Sequence, residues 1–139
     1  MTIFCDLDGV LRVKGDDWKA FKWFMNYRQY IEKYPAIPEN VALVNELKKI
    51  DNVIIATSCP YTLLNEIWLQ HYSIEIPCLY TTKEKIKELS GMFNLKGSWL
   101  IDDTLINIEE AIRHGMKAVK AETNKPLGLS LQDFLDERE

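Results

Sequence analysis

Hydrophobic residues come in short unbroken runs along this chain, and stretches with a helical repeat separate them. The first run, Thr2 to Asp6, passes into Leu7-Asp8-Gly9-Val10-Leu11 and a polar turn, Lys14-Gly15-Asp16-Asp17. From about Trp18 to Tyr34 the spacing predicts a helix. At about 100° per residue, Trp23, Phe24, Tyr27, Tyr30, Ile31 and Tyr34 share one sector, and Lys19, Lys22, Asn26, Gln29 and Lys33 the opposite one. Pro35 and Pro38 close that helix and open a second, with Val41, Val44, Leu47 and Ile50 at every third position. Asp51-Asn52 turns into a buried strand, Val53-Ile54-Ile55-Ala56, and a helix after Pro60 carries Leu64, Ile67 and Trp68 on one face. Ile74 to Tyr80 is the third strand, interrupted near its start by Pro77. Thr81 to Leu89 starts a helix, with Thr81 and Glu84 spaced as a capping box. Trp99-Leu100-Ile101 leads into Asp102-Asp103, then a helix runs from about Leu105 to His114 and Gly115 closes it. Met116 to Val119 is the fifth strand, and the tail is acidic and amphipathic through Leu129, Leu131, Phe134 and Leu135.

Short, continuously apolar strands alternating with helices predict an α/β fold, a doubly wound five-stranded parallel sheet covered on both faces. No repeat, low-complexity tract or long linker divides residues 1–139, so a single domain is expected. The irregular part is an insertion over about residues 12–39, placed between strand one and the helix leading to strand two. It is too small for a domain with its own core. Its aromatic helix has two uses open to it, packing on the sheet or offering rings for a base to stack on. Arg12 and Lys14, just after the first acidic motif, are candidates to meet a substrate anion.

Composition narrows the function classes. Of 139 residues, 47% are apolar and 27% charged, an ordinary globular balance that leaves disorder aside. Seventeen basic against 21 acidic residues give a net charge of −4, which argues against non-specific nucleic-acid or membrane binding. No apolar run approaches the ~20 residues needed to span a bilayer. The amino terminus meets acids at once and does not read as a signal peptide. Cys5, Cys59 and Cys78 are odd in number and form no Cys-x-x-Cys pair, so neither a disulfide framework nor a structural zinc site is expected. A soluble cytoplasmic protein with reduced thiols is the expectation.

In a doubly wound sheet, ligands bind beyond the carboxyl ends of the strands. Strand one ends in Asp6-Leu7-Asp8, strand two in Thr57-Ser58 and strand four in Asp102-Asp103, while strand three runs into Thr81-Thr82-Lys83-Glu84-Lys85. Taken singly, each is an ordinary turn or helix cap. Together, at successive strand ends, they form a pattern suited to phosphoryl chemistry. A phosphate monoester resists attack because nucleophile and substrate are both anionic, and a hard divalent cation with oxygen ligands relieves that repulsion.

These four segments, spread from Thr2 to about Ala121, resemble the four motifs of the haloacid dehalogenase superfamily of phosphohydrolases. Ala56-Thr57-Ser58-x-Pro60 and Leu95-Lys96-Gly97-x-Trp99-Leu100-Ile101-Asp102-Asp103 are similar to the corresponding stretches of deoxyribonucleotidases. Asp17-Trp18-Lys19-Ala20-Phe21 resembles the phosphatase domain of polynucleotide kinase-phosphatases. The resemblance implies a Rossmannoid core with a minimal helical cap and Mg²⁺-dependent hydrolysis through an aspartyl-phosphate. Asp6 would be the nucleophile and Asp8 the general acid and base. Asp6, the Asp8 backbone carbonyl, Asp102 and Asp103 would hold the metal, and Thr57, Ser58 and a lysine would bind the phosphoryl oxygens.

Lys83 and Lys85 both fall in the first turn of a helix, where a positive charge opposes the dipole. Lys83, nearer the strand end, is the first choice and Lys85 the reserve. Lys96 lies in the turn before strand four, at the other end of the sheet. His71 and His114 read as surface residues, Cys5 and Cys78 as strand residues of the core, and Cys59 as a neighbour of the phosphate loop. The expected partner is a small phosphorylated substrate, with a (deoxy)nucleoside monophosphate favoured. A polynucleotide 3′-end phosphatase is an alternative that lacks a basic stripe to track a nucleic-acid backbone. A catalytically idle relative that only binds a phosphorylated ligand is another, and it would not need both Asp6 and Asp8.

Overall fold

The computed structural model describes residues 1–15 and 26–138. Trp18, Phe21, Trp23 and Phe24, the Asp16-Asp17 part of the predicted turn and the Asp17–Phe21 stretch lie outside the described residues. Five strands are present: β1 (Thr2–Cys5), β2 (Asn52–Thr57), β3 (Cys78–Tyr80), β4 (Trp99–Asp102) and β5 (Lys117–Lys120). The helices among the described residues are α1 (Tyr27–Lys33), α2 (Pro38–Leu47), α3 (Thr62–His71), α4 (Lys85–Met92), α5 (Leu105–Arg113) and α6 (Leu131–Arg138).

All strand pairs are parallel, in the order β3-β2-β1-β4-β5. Side chains along a strand alternate between faces, and the core divides accordingly. Ile3 and Cys5, with Ile55 and Ile101, face a cluster that includes Tyr30, Leu43, Trp68 and Phe134. Phe4, Ala56 and Leu100 face the other cluster, with Ile86 and Leu89 of α4 and Ile108 and Ala111 of α5. Both faces are thus covered, as continuously apolar strands require. The chain winds outward from β1 to β3, then jumps back to β4 on the other side of β1. That reversal makes the carboxyl ends of β1 and β4 the switch point, where ligands bind in such sheets.

Several element boundaries differ from the sequence expectation. Helix α1 starts at Tyr27, behind a capping box in which Asn26 accepts from the Gln29 N–H at 2.9 Å and the Gln29 side chain accepts from the Asn26 N–H at 3.1 Å. Of the two uses open to the aromatic helix, packing is the one Tyr30 and Tyr34 take, both being buried, while Tyr27 of the same sector is exposed. In α2 the buried side is Asn40, Leu43, Val44 and Leu47, and Ile50 lies past the helix end and is exposed. A strict three-residue repeat precesses by about 60° per step around a helix of 3.6 residues per turn, so it cannot stay on one face. Strand β3 is shorter than Ile74–Tyr80. Pro77 accepts the Ile55 N–H through its carbonyl at 2.8 Å, but it has no N–H to extend the ladder backward.

The Thr81–Glu84 capping box does not form. Thr81 instead donates its N–H to the Thr57 carbonyl at 2.8 Å and so prolongs the pairing of β3 with β2. Thr82 donates both N–H and hydroxyl to Glu88, at 2.8 and 2.6 Å, and the helix begins at Lys85. Gly115, with φ +77°, closes α5 in the left-handed conformation, and β5 follows within one residue of its expected place. Phe134 anchors α6 against Trp99, with ring centroids 5.1 Å apart. No helix among the described residues is long and apolar enough to cross a membrane.

Candidate active site

The chain leaves β1 through a tight turn. The Leu7 carbonyl accepts N–H bonds from Leu11 and Arg12 at 3.0 and 3.1 Å, and Gly9 turns with φ +87°. Gly9 meets a second constraint besides the turn. A Cβ placed on it would fall 2.3 Å from Asp103 Oδ2, so the missing side chain is what admits that carboxylate.

Asp6, Asp102 and Asp103 converge here, and one carboxylate oxygen from each lies within 4.8 Å of the others. Lys85 stands among them with its Nζ 3.0 Å from Asp6 Oδ1 and 3.0 Å from Asp102 Oδ2. The Leu7 N–H also donates to Asp6 Oδ1, at 2.9 Å, and among the described residues no donor is bonded to Oδ2. Asp102 is fully buried and also accepts from the Thr104 N–H at 2.9 Å and from Asn107 Nδ2 at 3.2 Å. Burial pushes the Asp6 carboxyl well above the usual carboxylate range; Lys85 opposes the rise, and Asp102 and Asp103 add to it. Burial pulls the Lys85 ammonium down, but Asp6 and Asp102 outweigh it, and Lys85 stays above the ordinary lysine value. With all three carboxylates ionised, one ammonium would leave two negative charges uncompensated.

Asp6, Lys85, Thr104 and Asn107 open into a cleft of about 700 Å³, also lined by Asp8, Lys14, Thr57, Ser58, Pro60, Tyr61, Thr82, Lys83 and Ile106, with Asp102 buried behind them. The Thr57 hydroxyl oxygen accepts the Cys59 N–H at 3.1 Å, leaving its own proton to donate. Ser58 is exposed at the strand end. The lysine buried among the carboxylates is Lys85; Lys83, the first choice from sequence, is exposed on the rim. Lys85 is the first residue of α4, and that position points it back at β1 and β4.

Arg12 does not face a substrate anion. It is fully buried, with Nε 2.7 Å from Asp8 Oδ1 and Nη2 3.2 Å from Asp8 Oδ2. Its guanidinium lies over the rings of Tyr30 and Trp68, at 5.0 and 5.4 Å from their centroids. Burial works against its charge, yet Asp8 keeps the Arg12 pKa above its ordinary value. Lys14 does line the cleft.

Cys59 is buried beside Tyr30 and Asn65, with the Tyr30 hydroxyl 3.7 Å from its Sγ and 2.6 Å from Asn65 Oδ1. Burial raises the Cys5 thiol pKa and pushes Cys78 up to about 11, which keeps both protonated. His71 and His114 are exposed. Sequence reasoning missed Asn107 and Tyr61; only their places just after strand-end motifs could have marked them.

No family model matches this chain. No curated protein matches it either. Among solved structures, a haloacid dehalogenase-like family hydrolase from Streptococcus pneumoniae superposes with a TM-score of 0.59 at 16% identity, covering 97% of this chain and 89% of that one. The chain has the haloacid dehalogenase-like fold. In the haloacid dehalogenase-like frame, the acids at the ends of β1 and β4 occupy the switch point of the sheet, and Lys85 bridges them from the helix after β3.

Proposed function

We propose that the protein is a Mg²⁺-dependent phosphohydrolase of phosphate monoesters. The observation that carries this reading is the bridge from Lys85 to both Asp6 and Asp102 at the floor of the cleft, with Asp103 beside them. The donor set suits a hard divalent cation: three carboxylates, no nitrogen or sulfur, an excess of two negative charges, and space kept open by Gly9 for Asp103. Asp6, Asp102 and Asp103 would hold Mg²⁺ with the Asp8 carbonyl. When bound, Mg²⁺ supplies the charge neutralisation that lets one anion approach another.

The residues of the chain do the rest. Asp6 Oδ2, unencumbered while Oδ1 is held by Lys85 and Leu7, attacks phosphorus. A P–O bond forms, the ester P–O bond breaks, and the leaving oxygen takes a proton from Asp8, which must first pick up that proton from solvent as its bond to Arg12 Nη2 opens. Water then attacks the aspartyl-phosphate, with Asp8 taking its proton, and releases phosphate. Thr57, the Ser58 N–H and Lys85 would hold the phosphoryl oxygens. Asp8 must loosen part of its hold on Arg12 to do this, and the 3.2 Å contact is the weaker of the two. Hydrolysis of an aryl phosphate with and without a chelator tests the whole reading. Activity that survives metal removal would overturn the Mg²⁺ requirement, and no activity in either condition would overturn the hydrolase. Asp8→Asn is expected to lower kcat by at least ~10²-fold, the usual worth of a positioned acid–base group. An effect confined to Mg²⁺ affinity would remove Asp8 from proton transfer.

Nucleoside monophosphates are the favoured substrates within this class. Tyr30 and Tyr34 are buried and cannot stack on a base, so the support for a nucleotide moves to the wall of the cleft. Pro60, Tyr61 and the exposed Ile106 give that wall an apolar side. Stacking on an aromatic ring contributes about 1–3 kcal/mol per base. Deoxy- and ribonucleoside monophosphates should therefore show higher kcat/KM than sugar phosphates of equal charge. Equal values in a side-by-side screen would defeat the nucleotide reading and leave the phosphatase.

A further inference from the structure

We infer that Thr123, in the turn after β5, is a positioning residue for Asp103 and so helps to set the affinity of the site for a divalent cation. The inference rests on the metal site proposed above. Thr123 Oγ1 donates to Asp103 Oδ2 at 2.8 Å, and this is the oxygen that lies over Gly9. The carboxylate is therefore fixed from two sides, by a hydroxyl on one and by backbone without a side chain on the other. Of the three clustered acids, Asp103 is the least buried and does not touch Lys85. Asp6 and Asp102 are oriented by that ammonium; Asp103 has a long contact from Thr104 Oγ1 to Oδ1, at 3.5 Å, and depends on Thr123 for Oδ2.

The turn is itself bolted to the first motif. Asn124 donates its N–H to the Gly9 carbonyl at 2.8 Å. Its side chain accepts from the Lys14 N–H at 2.6 Å and donates to the Lys14 carbonyl at 2.9 Å. Asn124 adopts φ +64°, a left-handed conformation that asparagine tolerates better than most residues. Asn40 extends the same clasp, donating to the Val10 and Lys125 carbonyls at 2.7 and 3.0 Å and accepting the Leu127 N–H at 2.8 Å. The threonine hydroxyl is thus carried on a segment held in register with Gly9, and the Gly9–Asp103–Thr123 contact is a built arrangement of three distant parts of the chain.

Hydrogen bonds to metal-binding carboxylates and histidines typically change metal affinity 10–100-fold when removed. The Thr123 bond is open to solvent, where water can partly replace the hydroxyl, so the lower end applies. Calorimetric titration of MgCl₂ into the full chain should show Thr123→Val raising the Mg²⁺ Kd about 10-fold, with Thr123→Ser restoring it. In chelator Thr123→Ser should melt like wild type, and Thr123→Val should lose no more than one exposed hydrogen bond, since among the described residues the hydroxyl has no partner besides Asp103. A Thr123→Val protein with the wild-type Kd overturns the inference, as does a Thr123→Ser protein as weak as Thr123→Val. If wild-type protein binds no Mg²⁺, the metal site and this inference fall together. If it binds Mg²⁺ but hydrolyses no phosphate ester, the hydrolase reading fails, and the two Thr123 variants still decide the role of the hydroxyl.

Discussion

Asp6→Asn is expected to remove phosphate-ester turnover by at least ~10³-fold, since loss of a nucleophile costs up to ~10⁶ where it has been isolated from other contributions. The substitution is nearly isosteric. Asparagine can place its carbonyl oxygen where Oδ1 now accepts from Leu7 and Lys85, so the turn after β1 has reason to survive. The atom lost is Oδ2, which no described residue engages. Lys85 keeps Asp102 at 3.0 Å, and the repulsion among three clustered carboxylates falls to that of two. The variant should therefore melt no lower than wild type in the absence of metal while failing to turn over. Single-turnover assays followed by acid quench would show no phosphoprotein. Turnover near the wild-type rate would eliminate Asp6 as the nucleophile.

Arg12→Met should destabilise the fold by about 3–5 kcal/mol, the usual result of removing one member of a buried ion pair. Methionine keeps most of the stem volume against Tyr30 and Trp68, so the loss falls on Asp8, 5% exposed and left without its cation. Domains of this kind have total stabilities of about 5–15 kcal/mol, so such a change would move the unfolding midpoint far down the urea scale. Adding Asp8→Asn to Arg12→Met should recover part of the loss, because an amide costs less to bury unpaired than a carboxylate. A loss below about 1 kcal/mol would mean that the pair behaves as a surface salt bridge.

The legible part of this protein was the part encoded locally. β1 to β4 are built on short apolar runs, and an apolar run can be found without knowing its neighbours. The acids directly after those runs, Asp6, Asp102 and Asp103, were placed for the same reason, since strand direction alone carries them to one end of the sheet. Lys83 and Lys85 could not be separated locally. Both sit at the start of the same helix, and the choice depends on Asp6, 79 positions away from Lys85 in the chain. Arg12 misled in the opposite way. An arginine next to an acidic motif reads as a partner for a substrate anion, and only the Asp8 carboxylate with the Tyr30 and Trp68 rings makes its burial possible. The Thr81 capping pattern lost to a longer-range partner, the Thr57 carbonyl on the neighbouring strand.

Arg12 and Ala36 pair as an isolated antiparallel bridge, the Val13 N–H reaches the Pro35 carbonyl at 2.8 Å, and the Ile37 N–H reaches Leu11 at 2.8 Å. The two ends of the insertion are zipped into a stem whose base lies in the core, with Tyr30 and Tyr34 of α1 sealed against it. The chain therefore leaves the core after Val13 and re-enters it at Pro35 through one doorway. Doubling the length of a flexible loop across such a fixed gate costs only about 0.6 kcal/mol. The scaffold can therefore accept transplanted loops at this point, longer or shorter, while the carboxylates and Lys85 below stay where they are. New side chains could be grafted there without re-engineering the acidic cluster beneath.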